Sequence, residues 1–396
     1  MIKFDFETHV DSNILEEYKE VLNKKEEVLE QFNNSRMIGW SKHIGKNNLD
    51  KINNTANYIK ENFDCLVVVG VGGSYLGSYA FSQTFKKYFK PHPFEVIYVG
   101  TTLSTKFLND LLVELEDKNY CVNVISKTGK TMETNMIYNF LKEDLLRRYG
   151  YESVKDHVII TTSDDGNNLD SEPCLEKFDI PKNIAGRYSF LTAAHLLPLA
   201  TNFDIYDIVD GYYEGANLID EAFNYAGIRY LLFKQGKIVE NYSIHEEHMV
   251  AFTEWLKQLF AETEGKEGKG ILPMSTLYTR DLHSLGQFIQ EGNKILFETF
   301  IRFKKSNIIN YKSLDINDIN NKVLDSVITA HHKGNTNILE ITMDELNVKE
   351  LSKLIYFFML SASFSGYLFG VNPFDHPGVD VYKEEAKNLL DEVINF

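Results

Sequence analysis

The pattern of apolar positions changes near residue 60. Before that point, segments such as SNILEEYKEVLNKKEEVLEQFNN carry apolar residues at helical spacing, which predicts amphipathic helices packed outside a core. From Cys65 onward, short apolar runs alternate with helical stretches such as LNDLLVELED and TNMIYNFLKEDLLRRYG. The runs are LVVVG, VIYVG, YCVNVIS and HVIITTS. Strands that alternate with helices predict parallel pairing through right-handed crossovers.

A second unit of the same kind begins near Tyr206, with strand-like segments KIVENYSI, ILPMSTLYT and ILFETFIRF. The chain is therefore predicted to be an α/β protein with two α/β sandwiches. We expect four parts: an N-terminal helical segment at 1–60, a first α/β domain at 61–203, a second at 204–371, and a C-terminal helix at 372–396. The uncharged run LIYFFMLSASFSGYLFGV just reaches the length of a membrane span, but its serines, glycines and tyrosines favour a buried helix.

Composition narrows the possible partners and the compartment. The formal net charge of −16 argues against nucleic acid, so an anionic ligand would need a local positive pocket. Cys65, Cys121 and Cys174 are an odd set without metal-ligand spacing, which indicates reduced thiols. The beginning MIKFDFETHV lacks the long apolar core of a secretory signal. We therefore expect a cytoplasmic protein without a membrane segment.

The stretch VISKTGKTMET offers a candidate anion site. It is not a P-loop, because Val124 stands where the first glycine of that loop would be required. A strand ending at Ile125 instead delivers hydroxyls to a turn that opens a helix near Thr131, where free amides and the positive helix end would meet. Such a cradle suits a single compact phosphate. The simpler alternative is a serine/threonine helix cap without a ligand.

The loop GVGGSYLG follows the first strand of the same predicted sheet. A dinucleotide fingerprint would need glycine at position 75, where Tyr75 stands, so a dinucleotide site is disfavoured. Gly72 and Gly73 still permit close backbone approach, and Ser74 can offer a hydroxyl at a helix start. Because ligands bind beyond the carboxyl ends of parallel strands, this loop and the SKTGKT turn could face one small ligand.

Further along, WLKQLFAETEGKEGKG places Gln258 and Glu262 on one helix face, four residues apart, with Glu262 in the last turn before Gly265. Glu262 is a candidate general base. The alternative is a solvated helix end in which Glu262, Glu264 and Glu267 are only surface charges. His283, Arg187 and Lys383 are weaker candidates, because each alone fits a surface residue.

Taken in order, GVGGSYLG, SKTGKTMET, AGRYSFLTA, WLKQLFAETEGKEGKG, DLHSLGQFIQEG and NPFDHPGVDVYK resemble the motifs of the phosphoglucose isomerases, also called glucose-6-phosphate isomerases. The resemblance covers roughly residues 66–383. It implies two sugar-isomerase (SIS-type) α/β sandwich domains in a homodimer, without a metal or organic cofactor. It also implies interconversion of glucose 6-phosphate and fructose 6-phosphate in glycolysis and gluconeogenesis.

The resemblance also implies a role for each matching residue. The resemblance implies a phosphate site on the glycine loop and the SKTGKT turn. It implies that Glu262 is the base and that Arg187 is the cation that stabilises the enediolate. It also implies that His283 is the ring-opening acid and acts from the neighbouring subunit. Lys383 would assist ring opening, and Gln258 and His376 would contact the sugar. The implied phosphate ligands are Gly73, Ser74, Ser126, Lys127, Thr128 and Thr131.

Two departures from the family pattern affect selectivity. Lys130 stands where threonine is more usual, and His376 replaces a usual glutamine. Two alternatives to the isomerase therefore stay open at this point: a non-catalytic sugar-phosphate sensor on the same fold, and an isomerase that also accepts mannose 6-phosphate. The sensor would have no need of Glu262, His283 and Lys383.

Overall fold

The computed structural model describes residues 1–163 and 166–393. The strands are β1 (Ile2–His9), β2 (Cys65–Val69), β3 (Glu95–Val99), β4 (Tyr120–Ile125), β5 (Val158–Thr162), β6 (Glu176–Asp179), β7 (Val239–Ile244), β8 (Leu272–Leu277), β9 (Leu296–Lys305), β10 (Asn310–Tyr311), β11 (Leu314–Asp315) and β12 (Ile338–Glu345). The helices are α1 (Ser12–Leu22), α2 (Lys25–Asn34), α3 (Lys46–Asn62), α4 (Leu76–Thr84), α5 (Thr105–Leu115), α6 (Met132–Tyr149), α7 (Ala193–Ala200), α8 (Ile205–Glu214), α9 (Ile219–Lys234), α10 (Val250–Glu264), α11 (Gly286–Glu291), α12 (Ile316–Lys333), α13 (Val348–Leu368) and α14 (Pro377–Val393).

The first sheet is fully parallel, in the order β3-β2-β4-β5-β6. Its central strands β2 and β4 are buried along their whole length and apolar except for Asn123, as expected for strands covered by helices on both faces. The strand order reverses direction at β2, whose neighbours on either side are β3 and β4. Ligands bind at such a switch point, beyond the carboxyl ends of the strands.

The second sheet has the order β1-β12-β9-β7-β8, with β12, β9, β7 and β8 parallel. Helix α13 packs on α8 and α9, and α10 packs on α4 of the first unit. The predicted α/β architecture with two parallel sheets flanked by helices is confirmed. The carboxyl end of α10 is thereby carried to the glycine loop that precedes α4.

The prediction that residues 1–60 are purely helical is wrong at its beginning. Strand β1 pairs antiparallel with β12 at the edge of the second sheet. The reason is visible in IKFDFETH, where Phe4 and Phe6 alternate with charged residues; Phe6 is buried, and the Phe4 ring lies 4.6 Å from that of Phe357. This period-two pattern is typical of a half-buried strand. The other boundaries of the four predicted parts stay an interpretation, and residues 394–396 of the C-terminal part lie outside the described residues.

The apolar run at 354–371 belongs to the buried core. Helix α13 is the one described helix long and apolar enough to cross a membrane, and 89% of its most apolar window is buried inside the protein. Its buried residues include Phe357, Phe358 and Met359. The prediction of a core helix is confirmed.

Candidate active site

The hydroxyl-rich turn lies directly beyond the end of β4. The Ser126 and Thr131 hydroxyls are 3.2 Å apart, and Ser126 is almost fully buried. Helix α6 begins after Thr131, as predicted. Thr131 occupies the N-cap position, yet in the described chain its hydroxyl accepts no helix N–H and faces Ser126 instead. The turn is therefore not held by an ordinary threonine cap.

The same turn is fixed by its backbone. The Lys130 N–H donates to the Thr128 hydroxyl (3.3 Å), and Gly129 has a φ of +64°. A side chain at Gly129 would also collide with Asn167, whose Oδ1 would lie 2.5 Å from the added Cβ. Only glycine fits this position. The Lys127 ammonium donates to the Ile184 carbonyl (2.7 Å), which ties the turn to the segment leading to Arg187.

The glycine loop meets that segment from the other side. Residues Gly72–Ser74 form a single 3₁₀ turn between β2 and α4. A Cβ added to Gly73 would lie 2.3 Å from the Gly186 carbonyl carbon, so the two backbones touch only because Gly73 has no side chain. The glycine loop and the hydroxyl turn thus both contact the segment that carries Arg187, whereas the parallel-sheet argument concerned only the two loops.

His195 holds the glycine loop in place. Its Nε2 lies 2.8 Å from the Gly73 carbonyl, and its Nδ1 lies 3.0 Å from the Ser78 backbone nitrogen in the first turn of α4. Since the Ser78 N–H must donate, Nδ1 is the acceptor and Nε2 carries the proton. Burial lowers the pKa of His195 to about 4, so the ring is neutral at pH 7 and both nitrogens are satisfied.

The carboxyl end of α10 places a carboxylate beside this loop. Glu262 is 28% exposed; its Oε2 accepts from Arg187 Nη1 (3.1 Å), and its Oε1 accepts from Gln258 Nε2 (3.3 Å). Gln258 and Glu262 share one helix face, as predicted. The Nε2 of Gln258 would lie only 2.9 Å from a Cβ at Gly72, so this face looks onto the glycine loop.

Arg187 is buried at the centre of the cluster. Its guanidinium is 2% exposed and donates through Nε to the Thr263 hydroxyl (2.9 Å), in addition to Glu262. Its Nη2 donates to the carbonyls of Pro373 and Asp375. The alternative that Arg187 is a surface ion-pair partner is wrong. The guanidinium instead fixes the orientation of the Glu262 carboxylate with a permanent positive charge.

The alternative of a solvated helix end at Glu262 is also wrong. Glu264 is fully buried and pairs with the fully buried Arg229, which also binds Glu240 through Nε (2.8 Å). The guanidinium carbon of Arg229 lies 4.2 Å from the centre of the Phe260 ring. Of the three acidic residues near this end, only Glu267 is exposed. The last turn of α10 is therefore anchored on both sides of Glu262.

Three predicted residues lie at the rim. Within the described chain the exposed His283 side chain has no hydrogen bond or ion pair. Lys383 is exposed and pairs with Asp380 (3.4 Å), while Tyr382 beside it donates to Glu133 in the first turn of α6 (2.7 Å). His376 is exposed and directly follows the carbonyls bound by Arg187. In one chain, His376 thus follows the turn bound by Arg187, and Lys383 lies next to the contact of Tyr382 with α6, whereas no polar contact joins His283 to the cluster among the described residues.

Three residues of the cluster were not expected from sequence: Thr263, His195 and Lys266, whose ammonium pairs with Asp375 at 2.8 Å. His195 could have been noticed, because it is the one polar ring in the apolar helix AAHLLPLA. Thr263 and Lys266 carry no comparable signal, because their roles depend on partners distant in sequence. Among the described residues, no group of three or more His, Cys, Asp and Glu side chains could hold a metal ion.

Fold and site together define an α/β protein with two largely parallel sheets, in which a hydroxyl-rich turn and a glycine loop both contact the segment that carries the arginine of a carboxylate–arginine pair. The family model of phosphoglucose isomerase matches residues 41–317. The glucose-6-phosphate isomerase of Clostridium tetani is 35% identical over 89% of this chain and 86% of its own length. That of Mycoplasmopsis pulmonis is 37% identical over 95% of this chain and 96% of its own length.

A solved structure shows the same fold. The glucose-6-phosphate isomerase of Chlamydia trachomatis superposes with a TM-score of 0.85 at 18% identity, covering 100% of this chain and 89% of its own. The chain belongs to the phosphoglucose isomerase family and is an isomerase.

Proposed function

We propose that this enzyme interconverts glucose 6-phosphate and fructose 6-phosphate through ring opening and a cis-enediolate. The observation that supports this most directly is the Glu262–Arg187 pair, held at 3.1 Å beside the glycine loop. Isomerisation of an α-hydroxy aldehyde needs one base that moves a proton between adjacent carbons and one cation that stabilises the oxyanion. The pair contains both groups.

The 6-phosphate would bind at the hydroxyl turn and the glycine loop. Ser126, Thr128 and Thr131 supply hydroxyls, Ser74 supplies one from the other loop, and α6 presents its positive end. Gly73 allows the loop backbone to approach, and the Lys127 ammonium adds positive charge at the edge of the turn. The phosphate would act as a handle, since binding energy from a non-reacting group can hold the reacting carbons in place.

The proton transfer would be carried out by Glu262. Its carboxylate takes the proton from C2 of the open-chain aldose, and the electron pair of that C–H bond forms the C1–C2 double bond of the enediolate. The carbonyl π electrons move to O1, where Arg187 stabilises the negative charge. Glu262 then returns the proton to C1, the proton of the 2-hydroxyl passes to O1, and the C2–O2 carbonyl forms. A positioned base of this kind contributes about 10²–10⁴-fold to the rate.

Gln258 and His376 would contact the sugar. The Gln258 Oε1 is buried and has no hydrogen-bond partner within the described residues, although its Nε2 is occupied by Glu262. A sugar hydroxyl is a suitable donor for this oxygen, because a buried unpaired acceptor is costly. His376 directly follows Asp375, whose carbonyl accepts a hydrogen bond from Arg187.

Ring opening would require a second copy of the chain. His283 is exposed and has no hydrogen bond or ion pair within the described residues of its own chain, so we propose that it reaches the neighbouring subunit's site and works there with Lys383. A homodimer is also supported by an exposed apolar patch around the β10–β11 hairpin, since patches of this kind mark interfaces. The patch consists of Ile308, Ile309, Tyr311, Leu314 and Ile316.

The purified protein tests this function directly. Fructose 6-phosphate conversion is followed with a glucose-6-phosphate-specific coupling enzyme, and proton exchange at C2 is followed by NMR in heavy water. The proposal predicts turnover together with exchange. A sugar-phosphate sensor would bind the substrate without either signal, and exchange with mannose 6-phosphate would reveal a broader isomerase.

A further inference from the structure

Lys266 lies four residues beyond Glu262, in the loop that follows α10. Its side chain is only 8% exposed, which is unusual for lysine. The ammonium donates to the Asn372 carbonyl and pairs with Asp375 Oδ1 at 2.8 Å. Both partners belong to residues Asn372–Asp375, here called the C-terminal turn. Lys266 thus joins the loop that follows the proposed base to a segment about a hundred residues away in sequence.

The C-terminal turn receives a second cation. Arg187 Nη2 donates to the carbonyls of Pro373 and Asp375 while its Nη1 binds Glu262. The turn is shaped for these contacts by its own side chains: Asn372 Nδ2 donates to Asp375 Oδ2 (3.0 Å), and the Phe374 N–H donates to Asn372 Oδ1 (3.0 Å). Three carbonyls and one carboxylate therefore converge on two cations.

The C-terminal turn leads directly into two of the proposed site residues. His376 is the next residue, and α14 with Lys383 begins immediately after it. Tyr382 rests on Glu133 at the start of α6, so the segment spans from Glu262 to the hydroxyl turn. Burial, together with the nearby Arg187 charge, lowers the pKa of Lys266, although the bond to Asp375 acts in the opposite direction.

We propose that Lys266 and Asp375 form a clamp that positions His376 and Lys383 over the proposed base, so that Lys266 is a positioning residue for ring opening. The assignment of its effect to ring opening rests on the proposed isomerase function. The clamp itself concerns only the C-terminal turn and can be tested without any activity.

Hydrogen exchange measured by mass spectrometry provides the test that is independent of activity. Lys266→Met removes the charge and both bonds but keeps most of the side-chain volume. We expect faster exchange in peptides covering residues 372–383, with unchanged exchange in β2 and β4. Lys269→Met is the matched control, because Lys269 lies in the same loop and pairs with exposed Glu267. If the Lys266→Met and Lys269→Met proteins show the same hydrogen-exchange rates in peptides covering residues 372–383, the clamp is refuted.

Kinetics with two substrates tests the positioning role. Fructose 6-phosphate must open its ring, whereas 5-deoxyfructose 6-phosphate lacks the hydroxyl that closes the ring and stays acyclic. Lys266→Met should lower kcat on fructose 6-phosphate by roughly 10-fold or more, with a clearly smaller loss on the acyclic ketose. Lys266→Arg should recover much of the loss, and Asp375→Asn should reproduce the selective defect from the other side of the pair.

Equal losses on the two substrates would overturn the positioning role, because a purely structural effect does not distinguish them. If Lys266→Met fails to fold, Asp375→Asn decides the question by the same comparison. If the parent enzyme turns over neither substrate, the isomerase proposal fails, while hydrogen exchange still decides whether the clamp exists.

Discussion

At the scale of single residues, the site depends on how the Glu262 carboxylate is held. Arg187 and Gln258 each donate to one of its oxygens, and Thr263 and Glu264 beyond it are bound to two different arginines. A carboxylate with both oxygens directed and its helix end anchored would lose little motion on substrate binding if it serves as the proposed base. This pre-organisation is what a proton transfer between adjacent carbons requires.

Glu262→Gln is therefore expected to lower kcat by about 10²-fold or more, because the amide keeps the shape but cannot take a proton. The measurement is the steady-state rate with fructose 6-phosphate, together with the dissociation constant of a non-reacting sugar phosphate. Binding should change little, since the proposed phosphate contacts lie on other loops.

Glu254→Gln is the matched control for this variant. Glu254 lies on the same helix, is exposed, and pairs only with Lys257 in the described chain. Its variant should behave like the parent. A Glu262→Gln enzyme with parental kcat would remove Glu262 from the mechanism.

Sequence identified part of this residue-level arrangement. The spacing of Gln258 and Glu262, and the helix start at Thr131, follow from local periodicity and were predicted correctly. The burial of Glu264 and the contacts of Thr263, His195 and Lys266 could not be predicted, because each depends on a partner distant in the chain. Glu264 shows the difficulty best, since nothing in ETEGKEGKG distinguishes its charge from that of exposed Glu267.

At the scale of elements, His195 links three parts of the chain. Helix α7 carries the ring, the Gly73 carbonyl of the glycine loop accepts a hydrogen bond from its Nε2–H, and the Ser78 N–H of α4 donates to its Nδ1. Since the pKa of His195 is about 4 in the folded protein and about 6.5 when unfolded, the unfolded state binds a proton first as pH falls. The contribution of neutral His195 to the free energy of unfolding is therefore fully present above about pH 6.5. It is lost as the pH falls toward 4, by about 3 kcal/mol in total.

Urea unfolding as a function of pH checks this prediction. His195→Gln should be less stable than the parent at pH 7.5, because the ring contacts are imperfectly replaced, but its stability should fall less steeply between pH 6.5 and 4. The variant retains a second such group, since burial lowers the pKa of His245 to about 4, so the slope should decrease rather than vanish. Identical slopes for the two proteins would contradict the assignment.

The strands illustrate which elements a sequence pattern predicts well. Strands β2, β4 and β5 were predicted because largely apolar runs mark strands covered on both faces. Strands β1 and β6 lie at sheet edges and carry charged residues on their open face, so the apolar signal is halved. The parallel pairing followed from the alternation of strands and helices, whereas the antiparallel addition of β1 did not.

At the scale of the whole molecule, a strongly acidic protein would have to offer cations to the dianionic ligand that we propose. The net charge of −16 requires a local positive pocket, and Arg187, Lys127 and Lys266 surround the junction of the two units. Acidic groups elsewhere keep such a protein soluble without weakening a pocket whose charges lie much closer to the ligand. The proposed site takes Arg187 from one α/β unit and Glu262 from the other, so neither unit alone would contain the complete site.

If His283 serves the neighbouring subunit, each site combines Glu262 of one chain with His283 of the other. Glu262→Gln and His283→Ala should then each be nearly inactive alone. Refolding the two variants together gives heterodimers with one doubly damaged site and one intact site. Because about half of randomly paired dimers are heterodimers with one working site, the mixture should recover about a quarter of the parent activity.

The control is each variant refolded separately, which should stay inactive at the same total concentration. The recovered activity should also fall as the mixture is diluted far enough to dissociate dimers, since the intact site exists only in the assembled pair. A His283 that acts within its own chain would leave every heterodimer with one base-deficient and one acid-deficient site. Mixing would then restore nothing, and the proposed arrangement across the interface would be wrong.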